Sequence, residues 1–264
     1  ATSDGYNLLG TVSGASGFTG PGEVKNVEAR LRALSAPFGV LYSLEPDSPA
    51  IDAGFNTTSP NPDNLVFCAN LPAQDLAGQG RVAKGSDGSG LRVDIGAVEF
   101  QAQRSFATNG VPWPIPGRIE AEDFDTGGDG VAYSESTPQN LPGAYRPDDG
   151  VDIEPTIDAG GGFDVTSTAN GEWLKYTVEV QTPGRYTLLL RVATDAPSGT
   201  VRVEIDGVDK TGDITITSTG GYQDWTTIAR AGLELAAGRH VMRVVWGAGT
   251  ANLNYIEWRA ENDE

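Results

Sequence analysis

The chain has 264 residues, with 35 glycines, 16 prolines and a single cysteine, Cys68. Its 18 basic against 36 acidic side chains give a formal charge of −18, spread along the chain, which argues against nucleic acid or an anionic membrane as a partner. One cysteine excludes an intramolecular disulfide, and no apolar run approaches the roughly 20 residues that span a bilayer, so no membrane insertion is expected.

The start, "ATSDGYNLLG", has neither a basic region nor an apolar leader core, and the chain reads as a soluble fragment of a longer protein. Repeated Val/Ile/Thr/Tyr runs between Gly/Asp/Asn turns predict an all-β protein of two domains, with helix scarce.

Within residues 1–103 the short apolar pieces "YNLLG", "FGVLYSL", "SPAIDAG", "NLVFCANL" and "VDIGAVEF" are separated by loops and do not pair as obvious hairpins. The segment "KNVEARLRAL", residues 25–34, has the spacing of a short amphipathic helix with Val27, Leu31 and Leu34 inward. The order "SPAIDAG", "AQDLAGQGRV", "LRVDIGAVEF" resembles the C-terminal closing segment of secreted right-handed parallel β-helix proteins. That resemblance implies a cap formed by the terminal coils of a solenoid, covalently continuous with N-terminal coils not present in this chain. A solenoid needs such a unit because its end strands otherwise expose unpaired backbone groups. Asp52 and Asp94 fit turn and loop hydrogen bonds better than catalysis.

Residues 104–114 lie in a proline-containing stretch with little periodicity and read as a linker. From residue 115 to 264 strands recur: "RIEAEDF", "GVDIEPT", "EWLKYTVEV", "RYTLLLRVAT", "TVRVEIDG", "DITIT", "DWTTIARAGLEL", "RHVMRVVW", "NLNYIEW". Most of the longer ones alternate and no strand–helix–strand spacing occurs, which favours an antiparallel β-sandwich, with Asp206-Gly207 supplying a tight turn. In "EWLKYTVEV" alternation puts Leu174, Tyr176, Val178 and Val180 on one face and Trp173, Lys175, Thr177 and Glu179 on the other. A tryptophan on the charged face is either core at a strand end or a platform for a ligand.

This second segment resembles the family 6 carbohydrate-binding modules, through "GRIEAEDFD", "AYRPDDGVDIEPTIDAGGGFDV", "GEWLKYTVEV", "GGYQDWTTI", "GRHVMRVVW" and "NLNYIEW" in that order. The resemblance implies a jelly-roll, galactose-binding-like sandwich appended to secreted glycan-degrading enzymes, and a structural calcium. In "RIEAEDF" alternation sets Glu120 and Glu122 on one face, where two carboxylates repel unless a cation or donor stands between them, and hard oxygen donors suit Ca²⁺. The family's ligand from the closing strand falls on Asn254, joined by main-chain carbonyls of the loop after Glu154. Two solvated glutamates are the alternative.

For sugar, the resemblance implies two clefts. At the sandwich edge the two aromatic positions fall on Ser167 and Tyr222, the acid on Glu154 and the amide on Asn252. Ser167 is a departure, since it offers no stacking face; Phe163 and Tyr133 are candidates to replace it. On the sheet face the aromatic position is Trp173, with Lys175 and Glu172 beside it. Trp225 suits the core better than Tyr222 does.

Catalytic patterns are weak. His240 lies inside a strand pattern, no nucleophile elbow accompanies the serines, and Cys68 has no signature around it. The expected function is non-catalytic polysaccharide binding that tethers a larger secreted or cell-surface protein to neutral β-linked glycans such as xylan, β-glucan or agarose. Two other readings stay open: the C-terminal part of a β-helical polysaccharide lyase or hydrolase, and a structural extracellular or filament protein without glycan affinity.

Overall fold

A computed structural model describes residues 103–137 and 139–261, together with 8–9, 24–36, 39–45, 48–51, 83–84 and 91–92. The chain divides into two units, Ala1–Ala102 and Gln103–Glu264.

In the first unit, β1 (Leu8–Leu9) pairs in parallel with β2 (Val24–Lys25). β3 (Leu31–Ala36) and β4 (Gly39–Leu44) form an antiparallel hairpin, as do the short β5 (Ala83–Lys84) and β6 (Leu91–Arg92). Of the apolar pieces, "FGVLYSL" forms its hairpin with residues 31–36, outside the other pieces. One expectation is corrected here: residues 25–34 are not a helix. Asn26 and Arg30 have φ of 56° and 52°, in the left-handed region that no right-handed helix accommodates, and Leu31 onward is strand. Asp52, Cys68 and Asp94 lie outside the described residues.

The second unit is a β-sandwich with almost no helix. One sheet follows the order β10 (Ile153–Pro155), β11 (Phe163–Val165), β19 (Asn252–Ala260), β13 (Gly184–Thr194), β17 (Gly221–Leu235), with β8 (Gly117–Glu120) also on β19. The other follows β15 (Val208–Asp209), β14 (Ser198–Ile205), β18 (Gly238–Trp246), β12 (Trp173–Val180), β7 (Trp113–Ile115), with β16 (Ile214–Thr217) on β14 and β9 (Tyr133–Ser134) on β12.

Alternation decides which faces meet. Leu174, Tyr176, Val178 and Val180 of β12 are all buried, as are Tyr186, Leu188, Leu190 and Val192 of β13, and both sets join one core with Trp258, Met242 and Phe124. Asp206 and Gly207, with φ of 50° and 76°, make the tight turn between β14 and β15 that the sequence predicts. β17 is the last strand of its sheet, and its pairing with β13 shifts register near each end.

The expected linker is instead tied into the second unit. Arg104 exchanges backbone hydrogen bonds with Thr126, Gln103 donates to Asp125 Oδ2 at 2.7 Å, and Trp113–Ile115 runs parallel to Val178–Val180. Prolines suit this position because β7 is an edge strand, where a missing N–H leaves no ladder bond unmade.

The strand expected to carry both Glu120 and Glu122 ends at Glu120, and Ala121–Asp123 form a 3₁₀ turn. Arg146, 6% exposed, holds that turn: its guanidinium donates to the carbonyls of Glu122, Phe124 and Asp125 while lying over the rings of Phe124 and Phe106.

Candidate functional site

At the edge of the first sheet, the antiparallel register of β10 and β11 sets Glu154 directly opposite Asp164. Two strands of the same sheet, β17 and β19, each add an amide to this acid pair. Gln223 of β17 donates Nε2 to Glu154 Oε1 and Asp164 Oδ1, both at 2.9 Å. Asn252 of β19 directs Nδ2 at Glu154 Oε1 (3.1 Å), Asp164 Oδ2 (3.0 Å) and the Tyr222 carbonyl (3.0 Å), while its Oδ1 accepts from Thr166 Oγ1. Gln223 Oε1 in turn accepts from Ile157 N (3.0 Å), Thr156 Oγ1 (3.3 Å) and Trp225 Nε1 (3.3 Å).

Asp164 is wholly buried, and that burial, reinforced by the Glu154 charge, pushes its carboxyl up to about 7 against the two amide hydrogen bonds. Tyr222 is 40% exposed, and its hydroxyl accepts from Thr250 Oγ1 at 3.0 Å. The structure therefore brings Glu154, Asn252 and Tyr222 together around an acid, Asp164, and an amide, Gln223, that the sequence reasoning missed. Counting outward from Ala159, the middle of the loop 156–162 between their strands, pairs position 164 with 154.

Neither candidate substitute for the Ser167 position stands there. Phe163 stacks on Tyr145 with centroids 4.9 Å apart, and Tyr133 is a core residue whose ring packs edge-on against Phe124. Trp225 is half-buried, hydrogen-bonded to Gln223 and so part of the edge network. An open groove of about 470 Å³, lined by Thr217, Ser218, Thr219, Asp224, Trp225 and Thr226, contains none of the predicted binding residues.

On the face of the second sheet, Trp173 is half-buried beside Val245 of β18 and Ser134 of β9. Two cations already lie over its ring: Lys175 Nζ at 4.8 Å from the centroid and Arg243 Cζ at 5.6 Å. Arg243 and Arg202 both pair with the buried Glu204. Glu172 is buried rather than open to a ligand, accepting from Ser136 N, Ser136 Oγ and Ala169 N. Burial and the adjoining Glu172 raise Glu135 to about 9, so that the two carboxyls share a proton.

The candidate metal residues converge in part. Glu122 is 5% exposed, and its Oε2 is buried with no hydrogen-bond partner. Burial pushes its carboxyl up to about 8, with Asp123 and Glu120 adding to the shift. Burial raises Glu120 as well, against Arg118. Asn254, also buried, donates Nδ2 to Asp158 Oδ2 at 2.8 Å. Asp158 is clamped by Arg191, which holds its carboxyl down at about 2 despite partial burial. Among the described residues no three acidic, cysteine or imidazole side chains converge as a metal group; a cation here would take two carboxylates plus amide and carbonyl oxygens.

His240 Nδ1 lies 2.7 Å from Asp206 Oδ2 and its Nε2 3.0 Å from the Ala236 carbonyl, which joins two turns.

Residues 148–258 match the model of a carbohydrate binding module (family 35). The clotting factor G alpha subunit of Tachypleus tridentatus is 29% identical over 109 residues, which are 40% of this chain and 16% of that protein, so the chain spans only a small part of that relative. Among solved structures, the carbohydrate-binding module of Cellvibrio mixtus lichenase 5A, in complex with cellotriose, is 31% identical, covering 56% of this chain and 98% of that one, with a TM-score of 0.45. A β-1,3-glucan-binding family 6 module from Bacillus halodurans is 24% identical over 57% of this chain and 100% of its own, with a TM-score of 0.44.

Proposed function

We propose that the second unit, whose sequence carries a carbohydrate-binding module over residues 148–258, binds neutral β-linked glycans without acting on them. The observation that carries this is the edge cluster: an exposed tyrosine, Tyr222, whose backbone carbonyl accepts from the same Asn252 amide that, with Gln223, fixes Oε1 of the carboxylate Glu154. A pyranose needs a flat apolar surface for its C–H face and a few directional groups for its hydroxyls. Tyr222 supplies the first. Glu154 Oε2 supplies an acceptor, while Asn252, 1% exposed and fully engaged, orients Glu154 from behind instead of reaching the sugar.

Trp173 is the weaker platform, because Lys175 and Arg243 occupy the space over its ring. Ser167, with φ of 54°, leaves the edge cleft one aromatic wall instead of two.

A calcium ion fits the residues at the 3₁₀ turn. Glu120, Glu122 and Asn254, with carbonyls of the loop after Glu154, would hold it, and the ion would supply the positive charge that the unpartnered Glu122 Oε2 lacks.

In a longer secreted or cell-surface protein, such a module raises the effective concentration of glycan around whatever it is joined to. The first unit would belong to the end of a parallel β-helix; the parallel β1–β2 pair supports this, and the β3–β4 hairpin would then be an insertion.

Calorimetric titration of the whole chain with xylan, β-glucan and agarose oligosaccharides, in calcium, tests the reading. Heat with at least one glycan, weakened by Tyr222→Ala, is expected. No heat with any of them overturns it.

A further inference from the structure

The loop between β10 and β11 carries a residue of the glycan cluster at each flank and touches the candidate cation site at its tip. Glu154 and Asp164 flank it. Asp158, within it, accepts from Asn254, and at its far end the backbone at Gly162 and Phe163 faces the Glu122 carboxyl. A Cβ on Gly162 would come to 3.9 Å from Glu122 Oε1, so backbone and carboxylate are close neighbours. Between these points Gly160, Gly161 and Gly162 have φ of 108°, 68° and 96°, and a Cβ on either of the first two would meet nothing within 4 Å. Within the loop Thr156 N–H donates to the Gly162 carbonyl and Gly161 N–H to the Asp158 carbonyl, and contacts at its flanks and ends fix the rest of its shape.

Gln223 makes the contact that joins the two ends. Its Nε2 holds Glu154 and Asp164, and its Oε1 holds Thr156 and the Ile157 N–H, one residue before Asp158. A continuous chain of hydrogen bonds and adjoining residues runs from Glu154 through Gln223, Ile157 and Asp158 to Asn254.

We infer that Gln223 is a positioning residue that couples glycan binding to cation binding through the loop 156–162. The inference rests on both readings proposed above. A ligand at Glu120, Glu122 and Asn254 fixes the loop end, and a sugar on Glu154 fixes the flank. Each orders part of what the other must order, so each binds more tightly in the other's presence, and the two enhancements are equal.

The test measures calcium affinity of the whole chain by calorimetry, alone and with the tightest binder among cellotriose, xylotriose and laminaritriose at saturation, and then the sugar affinity with and without calcium. Wild type should show the same gain in both directions, at least about fivefold. In Gln223→Met, which keeps the side-chain length and removes both polar groups, calcium and sugar should each still bind, with the gain reduced to below about twofold. A role limited to holding the fold would weaken both affinities and leave the gain intact, which would overturn the inference. Equal wild-type affinities with and without the second ligand would overturn it too. If calcium does not bind while a sugar does, the coupling fails and the glycan reading stands; if no sugar binds, both fall. Should the variant not fold, hydrogen exchange at the Ile157 amide of the wild type decides: it should slow when either ligand is added, and no change with either ends the proposal.

Discussion

Lys175 Nζ stands 4.8 Å from the centroid of the Trp173 indole, with Arg243 Cζ 5.6 Å from the same ring. The tryptophan on the charged face is thus a partner for cations of its own sheet. Trp173→Ala should lower stability by about 2 kcal/mol through lost packing and cation–π contact, and leave glycan affinity within about twofold of wild type. Calorimetry with the wild-type glycan distinguishes the cases, since complete loss of binding would move the site to the sheet face.

Tyr222 offers the exposed ring at the edge cluster. Removing it as Tyr222→Ala should weaken sugar binding by about 1 kcal/mol, or around fivefold, with a small effect on melting temperature. Unchanged affinity would exclude the edge cluster as the binding surface.

Asp164, raised to about 7 in the folded chain from an ordinary value near 3.8, binds its proton more tightly folded than unfolded. Its contribution to stability is fully present below the unfolded value, declines as pH rises between about 4 and 7, and is then lost. In urea titrations across that range, Asp164→Asn should show a shallower decline than wild type. Parallel curves would show that Asp164 ionises normally.

Glu135 obeys the same sign over a wider window, from its ordinary 4.5 to about 9, because burial and Glu172 hold its proton on. Glu135→Gln replaces that proton with an amide N–H able to donate to Glu172. The variant should match wild type in acid and become progressively more stable than it toward pH 9, as read by denaturant midpoints. A variant less stable than wild type at pH 9 would contradict a shared proton.

Glu122→Gln separates the burial of a charge from the holding of a cation. In chelator the variant should melt higher than wild type, because a buried carboxyl with an unpartnered oxygen is replaced by a neutral amide. In excess calcium the order should reverse, because wild type gains the binding free energy of the ion. The same difference in both buffers would remove Glu122 from any cation site.

The sandwich was legible because burial on one face forces a period of two, which Leu174, Tyr176, Val178 and Val180 carry, with Thr177 the one residue of the strand's other face that is also buried. The Asp206-Gly207 turn was legible because few residue pairs tolerate positive φ twice. Asp164 and Gln223 were not, since their role depends on which residues lie across from them, and strand register comes from loop geometry more than from local pattern. Glu122 was placed on a strand because alternation continues in the letters past Glu120, whereas the Arg146 guanidinium draws three carbonyls into a turn there. Residues 25–34 carried helical spacing, but two left-handed residues, Asn26 and Arg30, fall inside that stretch.

β17 occupies the sheet margin for 15 residues, yet two register shifts interrupt its pairing with β13, the longest unbroken step being Thr226–Arg230. Such a kinked margin is a poor template for another polypeptide, because an added strand needs a flat run of evenly spaced donors and acceptors. Copies of the second unit brought side by side would accordingly not join through this margin, and it would not seed a fibre.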